Sequence, residues 1–372
     1  MTTMDDFRAG FVHEPGYFDF ARVGPLSQPV LEEVHAQNRR LSTARFGTLN
    51  DLPAEDQRAR LAISKLTGFD PADILLQPNT GTGLMQAFFG LTGEVLLSAA
   101  EFPGLTYGAV RAAEALHVLQ PAWLDTDHGR VTPGQIKRQL TARTAAVAVS
   151  LVDPRSGYLA DIDGIRQVIG DRLLIVDATN GIGIVDAPYS VVDVLLAGGH
   201  TWLCAGWGTA FMALSDRALG EIVPVFSGYL GSGTADPWDR VGEPARDAQA
   251  YAVSQPDSVA QARLAAAVEG VAAAGVRGLQ QDIASRVDHV IETLDEFAVP
   301  VVSSRAAGER AGIVVLQLAS AAHTLLAAAM HNHGVSATHW SDSIRLSVHT
   351  STGPESIGML RAALVAYSTA VR

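Results

Sequence analysis

The stretch that decides the fold runs from Arg172 to Ser215 and reads RLLIVDATNGIGIVDAPYSVVDVLLAGGHTWLCAGWGTAFMALS. It contains three short apolar runs bounded by Gly, Asp or Pro, a pattern typical of strands buried on both faces. These runs are Leu173–Val176, Val191–Ala197 and Thr209–Leu214. Asp177 follows the first run, and His200 and Thr201 follow the second. Since ligands bind beyond the strand ends of open α/β sheets, we expect these side chains at a site.

Composition limits the possible classes of protein. The 372 residues are 48% hydrophobic and 18% charged, which predicts a globular protein with a large core. A net charge of −12 and a pI near 5.3 argue against a nucleic-acid-binding surface. No apolar run reaches the roughly 18 residues of a membrane span. The N-terminus has no signal-peptide pattern and Cys204 is the only cysteine, so we expect a cytoplasmic protein.

Secondary-structure patterns outside the opening stretch extend the prediction. Strands and helices alternate from about residue 60 to 215, which predicts a mostly parallel sheet with helices on both faces. Pro53–Gly68 is predicted as a helix that Gly68 ends. Two long helices are predicted over Val259–Ala274 and Leu279–Phe297. The remaining tail reads β-α-β-α, as expected of a small α+β unit.

A candidate anion site lies in the segment ILLQPNTGTGLMQAF, Ile74–Phe88. It reads as a short strand, a Gly/Thr turn and the start of a helix. Backbone N–H groups at a helix N-terminus, together with threonine hydroxyls, can bind an anion. Thr80, Gly81 and Thr82 are the candidates, and the alternative is an ordinary helix N-cap.

VDAT at Asp177, followed further along the chain by HTW at His200, resembles the cofactor core of the class V aminotransferases. These are fold type I pyridoxal 5'-phosphate (PLP) enzymes and include cysteine desulfurases and isopenicillin N epimerase-like proteins. The family pattern is an Asp in VDA and a later HKW, and WLCAGWG is most similar to the epimerase-like branch. Thr201 stands where the family has the lysine that forms a Schiff base with PLP. The resemblance implies a large α/β domain over 25–258 and a small domain from 1–24 and 259–372.

The resemblance also implies roles for individual residues. Asp177 would lie beside the pyridine nitrogen of PLP, and Asn180 near the phenolic oxygen. His200 would contact the phosphate or order the strand end. The PNTGTG run is similar to the phosphate-binding PNxTTG of the epimerase-like branch, which implies that Thr80, Gly81 and Thr82 grip the phosphate.

Two further residues have a functional and a structural interpretation. Phe102, in EFP, matches an aromatic ring that stacks on the pyridine in the family, and the alternative is a core phenylalanine. Arg345, in IRLSVHTST, is similar in context to the arginine of IRxSxHxxN, which binds the substrate α-carboxylate. The planar guanidinium makes two parallel hydrogen bonds to a carboxylate. The alternative is an exposed strand arginine.

Thr201 conflicts with conventional PLP catalysis. The family lysine holds PLP covalently and moves the α-proton, whereas a threonine hydroxyl forms no imine and is a poor base. The chain has only two lysines, Lys65 and Lys137, and both are predicted to be exposed on helices. Two other family features are altered: the serine shortly before His200 is absent, and the cross-dimer Gly-Thr is matched only loosely by Ser254 and Gln255.

Three functions therefore remain open. The first is a PLP-type enzyme of amino-acid metabolism, with lyase, epimerase or aminotransferase chemistry and either an unanchored cofactor or a natural lysine at 201. The second is a pseudoenzyme that regulates or supports an active paralogue. The third is a repurposed, PLP-independent enzyme. We expect an amino-acid-like substrate, a homodimer or a heterodimer with that paralogue, and no metal. Cysteine desulfurase activity is not expected because Cys204 lies in the core stretch.

Overall fold

The computed structural model describes residues 3–234 and 238–371. The α-helices in chain order are α1 Met4–Ala9, α2 Gln28–Ser42, α3 Pro53–Thr67, α4 Thr80–Gly90, α5 Pro103–Leu116, α6 Pro133–Gln139, α7 Ile162–Ile169, α8 Asp216–Glu221, α9 Ser258–Ala274, α10 Val276–Glu296, α11 Ser320–Asn332 and α12 Pro354–Val371. The strands are β1 Ile74–Gln77, β2 Gly93–Ser98, β3 Leu119–Leu124, β4 Thr144–Ser150, β5 Leu173–Asp177, β6 Val194–Gly198, β7 Ala210–Leu214, β8 Ile313–Gln317, β9 Thr338–His339 and β10 Ser343–Ser347.

A large sheet forms the centre of the molecule. Within the described ranges it has seven strands in the order β1-β7-β6-β5-β4-β2-β3. Neighbouring strands from β6 to β3 pair in parallel, and β7 is antiparallel to both β6 and β1. The order reverses between β2 and β4, which is where ligands bind in open α/β sheets. The predicted mostly parallel α/β architecture is confirmed.

Helices cover both faces of this sheet, and the sequence of β5 shows why. Successive side chains of a strand point to opposite faces. Leu174 and Val176 belong to one buried apolar cluster, whereas Leu173 and Ile175 belong to the other. Because both faces of β5 are buried, each of its first four positions needs an apolar side chain. The continuous apolar run in the segment Arg172–Ser215 predicts this burial.

The predicted elements differ from the observed ones mainly at their ends. The helix predicted over Pro53–Gly68 is α3, and Gly68 adopts a left-handed φ of 83° at its C-cap. The strand predicted over Val191–Ala197 begins three residues later, so that prediction is wrong at its start. Tyr189–Val191 forms a 3-10 turn after Pro188, and Val192 N–H donates to the Tyr189 carbonyl instead of to a strand.

A second, smaller sheet lies in the C-terminal part, with the antiparallel order β8-β10-β9. The predicted β-α-β-α tail is confirmed by β8, α11, β10 and α12, with the short β9 added. The N-terminal arm packs on this sheet: Tyr17 bridges to Ser336, and Asp19 to Ser347. The domain division at residues 24 and 258 stays a prediction.

The two long helices α9 and α10 meet at Gly275, which has φ 87°. In residues 3–234 and 238–371, no single helix is long and apolar enough to cross a membrane. Only α9 and α10 together meet that criterion, and they bend by 81° at their break.

Candidate functional site

A cavity of about 760 Å³ lies beyond the carboxyl ends of β2, β4, β5 and β6 and reaches β10. It brings together most of the side chains predicted to form a site: Thr80, Gly81, Phe102, Asp177, Asn180, His200, Thr201 and Arg345. Thr82 is the predicted residue that does not line it. Residues from distant parts of the chain thus meet at the sheet edge that the strand pattern indicates.

Asp177 is the last residue of β5 and is 5% exposed. Its Oδ1 accepts hydrogen bonds from the Thr179 backbone N–H at 2.9 Å and the Thr179 hydroxyl at 2.5 Å. No described residue donates to Oδ2. Burial raises the pKa of Asp177, while the two hydrogen bonds oppose that shift. The carboxyl group is therefore fixed by one oxygen and keeps the other for a donor inside the cavity.

Thr179, the last residue of VDAT, connects three parts of the site, although it was not predicted as a site residue. Besides its bonds to Asp177, its hydroxyl accepts from Gly198 N–H at 3.1 Å and lies 3.2 Å from the Thr80 hydroxyl. Its carbonyl accepts from the Thr201 hydroxyl at 2.5 Å. Thr201 is 1% exposed, so its side chain is a buried, satisfied hydrogen-bond donor. These contacts fix the loops after β5 and β6 relative to α4.

The predicted anion-binding residues at the N-terminus of α4 do not all face the cavity. Asn79 is the N-cap, and its Oδ1 accepts from the Thr82 N–H at 2.9 Å and the Thr82 hydroxyl at 3.1 Å. Thr82 therefore behaves as part of an ordinary cap, the structural alternative. Thr80 and Gly81 line the cavity, and N–H groups in a first helical turn have no intrahelical acceptor.

Thr82 instead lines a neighbouring cavity of about 690 Å³. Ser254 and Gln255, the loose equivalents of the cross-dimer Gly-Thr, line that neighbouring cavity as well. Pro78 and Thr209 line both cavities, so the two are adjacent.

Close packing around Gly198 shapes the floor of the candidate site. A Cβ at this position would lie 2.7 Å from His200 Nδ1 and 2.9 Å from Thr80 Oγ1. Only a residue without a side chain fits there as the site is arranged. Burial lowers the pKa of His200 below its usual value, so its imidazole is neutral at pH 7.

Phe102 is the residue before α5 and is 48% exposed at the cavity edge. The alternative of a core phenylalanine is therefore wrong. Pro103 occupies the first position of α5, so Phe102 precedes the helix, and both residues line the cavity. Its proposed role in stacking on a pyridine ring stays a prediction.

Glu101 is a titratable cavity residue within the EFP motif, but it was not predicted as a site residue. It follows β2, and its carboxylate accepts from the Ser150 N–H at 3.2 Å and the Ser150 hydroxyl at 2.6 Å. Ser150 ends β4, so this contact bridges the point where the strand order reverses. Burial, reinforced by the charges of Asp153 and Asp177, raises the pKa of Glu101 to about 7. A charged residue next to a predicted strand end was the available sequence signal.

Arg345 lies in β10 and is 6% exposed, so the alternative of an exposed strand arginine is wrong. Its Nη2 donates to the Thr338 hydroxyl at 3.0 Å and its Nη1 to the Pro154 carbonyl at 3.4 Å. The guanidinium carbon lies 5.2 Å from the centre of the Trp340 ring. Burial lowers the pKa of Arg345 to about 10, which leaves it charged at pH 7.

The residues present fit a ligand that has an anionic group and a basic ring nitrogen. The buried Oδ1 of Asn180 and Nε of Arg345 have no hydrogen-bond partner among the residues that the structure describes. The first turn of α4 offers N–H groups, and Asp177 offers a free carboxylate oxygen. In contrast, the cavity lining contains no lysine in the described residues.

Neither of the two lysines of the chain lines the cavity. Lys65 lies on α3 and Lys137 on α6, and both are exposed, as predicted. The site therefore fits PLP as a bound ligand but offers no amine to hold it covalently.

The sheet order, the C-terminal sheet and the cavity between them define the architecture of a fold type I PLP enzyme. The chain belongs to the aminotransferase class-V family, whose model matches residues 50–371. Family membership and PLP-bound structural neighbours imply PLP as the type of cofactor. No curated protein sequence matches the chain.

Solved structures share this fold at low sequence identity. A lysine-to-alanine mutant of C-DES, with glycine covalently linked to the PLP cofactor, has a TM-score of 0.87 and 21% identity, over 96% of this chain and 98% of the other. The apo cysteine desulfurase of Thermococcus onnurineus has a TM-score of 0.85 and 17% sequence identity, over 97% of each chain. The cysteine desulfurase CsdA of Escherichia coli has a TM-score of 0.81 and 15% sequence identity, over 100% of this chain and 99% of the other. At these identities the likeness shows the fold alone.

Proposed function

We propose that this chain is a PLP-type enzyme of amino-acid metabolism that binds its cofactor without a covalent anchor. The observation that carries the proposal is one cavity that combines a phosphate-type site, a buried carboxylate and a buried arginine, but lacks a lysine. Lyase, epimerase and aminotransferase chemistry all act at the α-carbon of an amino acid, and the site supports this class without selecting one member.

Bound PLP would supply an electron sink for bonds at the α-carbon. Thr80 and Gly81 would hold the phosphate through the N-terminus of α4, with the neutral His200 beside them. Asp177 would pair with the ring nitrogen and keep it protonated, and Asn180 would donate to the phenolic oxygen. Phe102 would cover one face of the ring. All of these contacts are non-covalent.

Thr201 would occupy the position of the family lysine, and its hydroxyl already donates to the Thr179 carbonyl. It is therefore not available as a proton carrier. Glu101 also lines the cavity, and burial raises its pKa to about 7. A carboxyl group with that pKa exchanges protons readily at pH 7. We assign proton transfer to Glu101 as part of this proposal.

Arg345 would bind the α-carboxylate of the substrate. Its Nε is buried without a partner, and an arginine in a low-dielectric cavity gains most from a bidentate carboxylate. Cysteine desulfurase chemistry is not part of the proposal. Cys204 is buried, and burial raises the pKa of its thiol, so no exposed nucleophilic thiolate is available.

Two alternatives keep specific support. The buried, hydrogen-bonded Thr201 supports a pseudoenzyme that binds PLP or an amino acid and assists an active paralogue. The close packing of His200 and Thr80 around Gly198 supports a repurposed, PLP-independent enzyme. Its ligand would be smaller than PLP at the end of the cavity where Gly198 lies.

The assembly and location are also proposed. We infer a homodimer, or a heterodimer with an active paralogue, because large apolar side chains are exposed between α8 and α9. They include Phe226, Tyr229 and Val241. We further infer a cytoplasmic location, and domains at 25–258 and at 1–24 with 259–372.

Exchange of the α-hydrogen separates an enzyme from a ligand-binding relative. The purified protein is incubated in D₂O with PLP and single amino acids, and the α-proton signal is followed by NMR. The proposal predicts loss of that signal for at least one amino acid, faster than with free PLP, and a slower loss in Glu101→Gln. PLP binding without exchange would favour the pseudoenzyme. Absence of both would favour the PLP-independent enzyme.

A further inference from the structure

The cavity has a basic end that one α-carboxylate does not account for. Three arginines line it: Arg22, Arg155 and Arg345. Arg345 donates to the carbonyl of Pro154, the residue before Arg155, so these two arginines lie on adjoining parts of the wall. Arg22 comes from the N-terminal arm, which packs on the C-terminal sheet.

Arg22 and Arg345 share one buried carboxylate. Arg22 Nη1 lies 3.8 Å from Asp19 Oδ2, while Oδ1 accepts from the Thr338 hydroxyl that also binds Arg345. Burial lowers the pKa of Arg345 and the positive charge of Arg22 adds to that shift, so the two guanidinium groups repel each other. An anion between them would relieve that repulsion.

The remaining charges do not neutralise this end. The side chain of Arg155 makes no ion pair with any residue in 3–234 or 238–371. Asp342 is a carboxylate on this part of the wall, and its two oxygens accept from Ser343 and Gln317. The charge of Arg155 also acts on Asp153, two residues earlier, but neither Asp153 nor Asp19 lines the cavity. Three arginines and one carboxylate, that of Asp342, therefore line this end.

The other two carboxyl groups that line the cavity are those of Glu101, beyond β2, and Asp177, at the end of β5. The charges that act on Glu101 are those of Asp153 and Asp177, and no arginine is among them. The charges that act on Arg345 are those of Asp19 and Arg22. The cavity is therefore polarised, with positive charge in excess where a substrate side chain would extend from its α-carboxylate.

We propose that the basic end formed by Arg22, Arg155 and Arg345 binds an amino acid with a second carboxylate in its side chain. This inference rests on the proposed function, in which Arg345 takes the α-carboxylate. Arg22 and Arg155 then take the side-chain carboxylate. Their guanidinium groups are exposed at the cavity mouth, so they are hydrated and free to close on an anion.

Isosteric pairs of amino acids test the proposal. Binding of aspartate against asparagine, and of glutamate against glutamine, is measured by isothermal titration calorimetry with and without PLP. Within at least one pair we expect the acid to bind tenfold or more tightly, because a hydrogen bond to a charged group is stronger than one to a neutral amide. Arg22→Gln and Arg155→Gln should each weaken binding of the acid more than binding of the amide. Arg138→Gln, on exposed α6, is the matched control.

Equal affinity for acid and amide in both pairs, or a preference that survives both arginine substitutions, overturns the proposal. The result is separable from the fate of the cofactor. Saturable PLP binding without acid preference leaves the proposed function standing and removes this inference. Acid preference without PLP binding supports the basic subsite and removes the cofactor role.

Discussion

The hydroxyl of Thr201 donates a hydrogen bond to the carbonyl of Thr179 at 2.5 Å, and Thr179 in turn holds the carboxylate of Asp177. The residue at the predicted lysine position is therefore joined through one threonine to the residue predicted to hold the pyridine nitrogen. This contact connects the loop after β6 to the loop after β5. Thr201 therefore has a structural role as a buried hydrogen-bond donor.

Removing the hydroxyl should destabilise the protein. Thr201→Val keeps the shape of the side chain but leaves the buried Thr179 carbonyl without that donor. We expect a loss of about 1–3 kcal/mol in the free energy of unfolding, measured by urea denaturation. Thr369→Val is the matched control, because its hydroxyl also donates to a backbone carbonyl but is exposed on α12. Equal losses in both variants would contradict a special role for the Thr201 contact.

Introducing the family lysine should convert bound PLP to covalently held PLP. In Thr201→Lys we expect borohydride treatment to fix one cofactor per chain, detected as a mass increase, because the amine would enter a cavity that already fits the ring and the phosphate. Thr201→Met controls for side-chain length without an amine. Circular dichroism establishes that both variants are folded. A folded lysine variant that retains no cofactor would show that the cavity does not hold PLP.

A serine at position 198, close to the proposed phosphate site, should weaken PLP binding in this chain, although the family often has a serine near the phosphate. A Cβ there would meet His200 and Thr80 at under 3 Å, so one of these side chains must move. We expect Gly198→Ser to weaken PLP binding about tenfold or more, which corresponds to at least about 1.4 kcal/mol. Gly220→Ser, at an open position on α8, is the control. Unchanged or tighter binding in Gly198→Ser would contradict the assigned phosphate position.

Glu101 should make stability depend on pH. Its pKa is about 7 in the folded protein and about 4.5 when unfolded, so the folded state is favoured when the group is protonated. That contribution is present below pH 4.5 and is lost as the pH rises to about 7, by up to about 3 kcal/mol. Glu101→Gln should remove this loss, so the variant should gain stability over the wild type between pH 4.5 and 8. Glu114→Gln, exposed on α5, should show no such gain.

Denaturation curves at several pH values measure this effect. A difference in unfolding free energy between Glu101→Gln and the wild type that does not change with pH would contradict the raised pKa. The amide of glutamine can accept from the Ser150 N–H and donate to its hydroxyl, so the local geometry need not change.

Local motifs predicted the strands and several cavity residues, because a single strand or turn carries each signal. β5 ends at Asp177 as its apolar run indicates, and Arg345 lies on β10 within its motif. Thr179, Glu101 and Arg22 were not predicted as site residues, because their positions depend on contacts between distant segments. Glu101 meets Ser150 across 49 residues, a pairing that only the sheet order brings about.

Thr82 was predicted from a local pattern as a site residue but does not line the candidate cavity. The Gly/Thr turn does begin a helix, but the side chain of Asn79 occupies the N–H of Thr82. Sequence spacing identifies candidate donors in such a turn without showing which of them face a ligand.

An absorbance titration of the purified protein with PLP, followed by borohydride treatment, is the decisive test of non-covalent PLP binding in this cavity. We expect a saturable shift of the cofactor band that borohydride does not fix in the absence of amino acid. In Asp177→Asn the midpoint should move to about tenfold higher PLP, since a charge-assisted contact is lost, while Asp163→Asn, exposed on α7, should match the wild type. A flat titration of the wild-type protein would contradict the proposal that this cavity holds PLP.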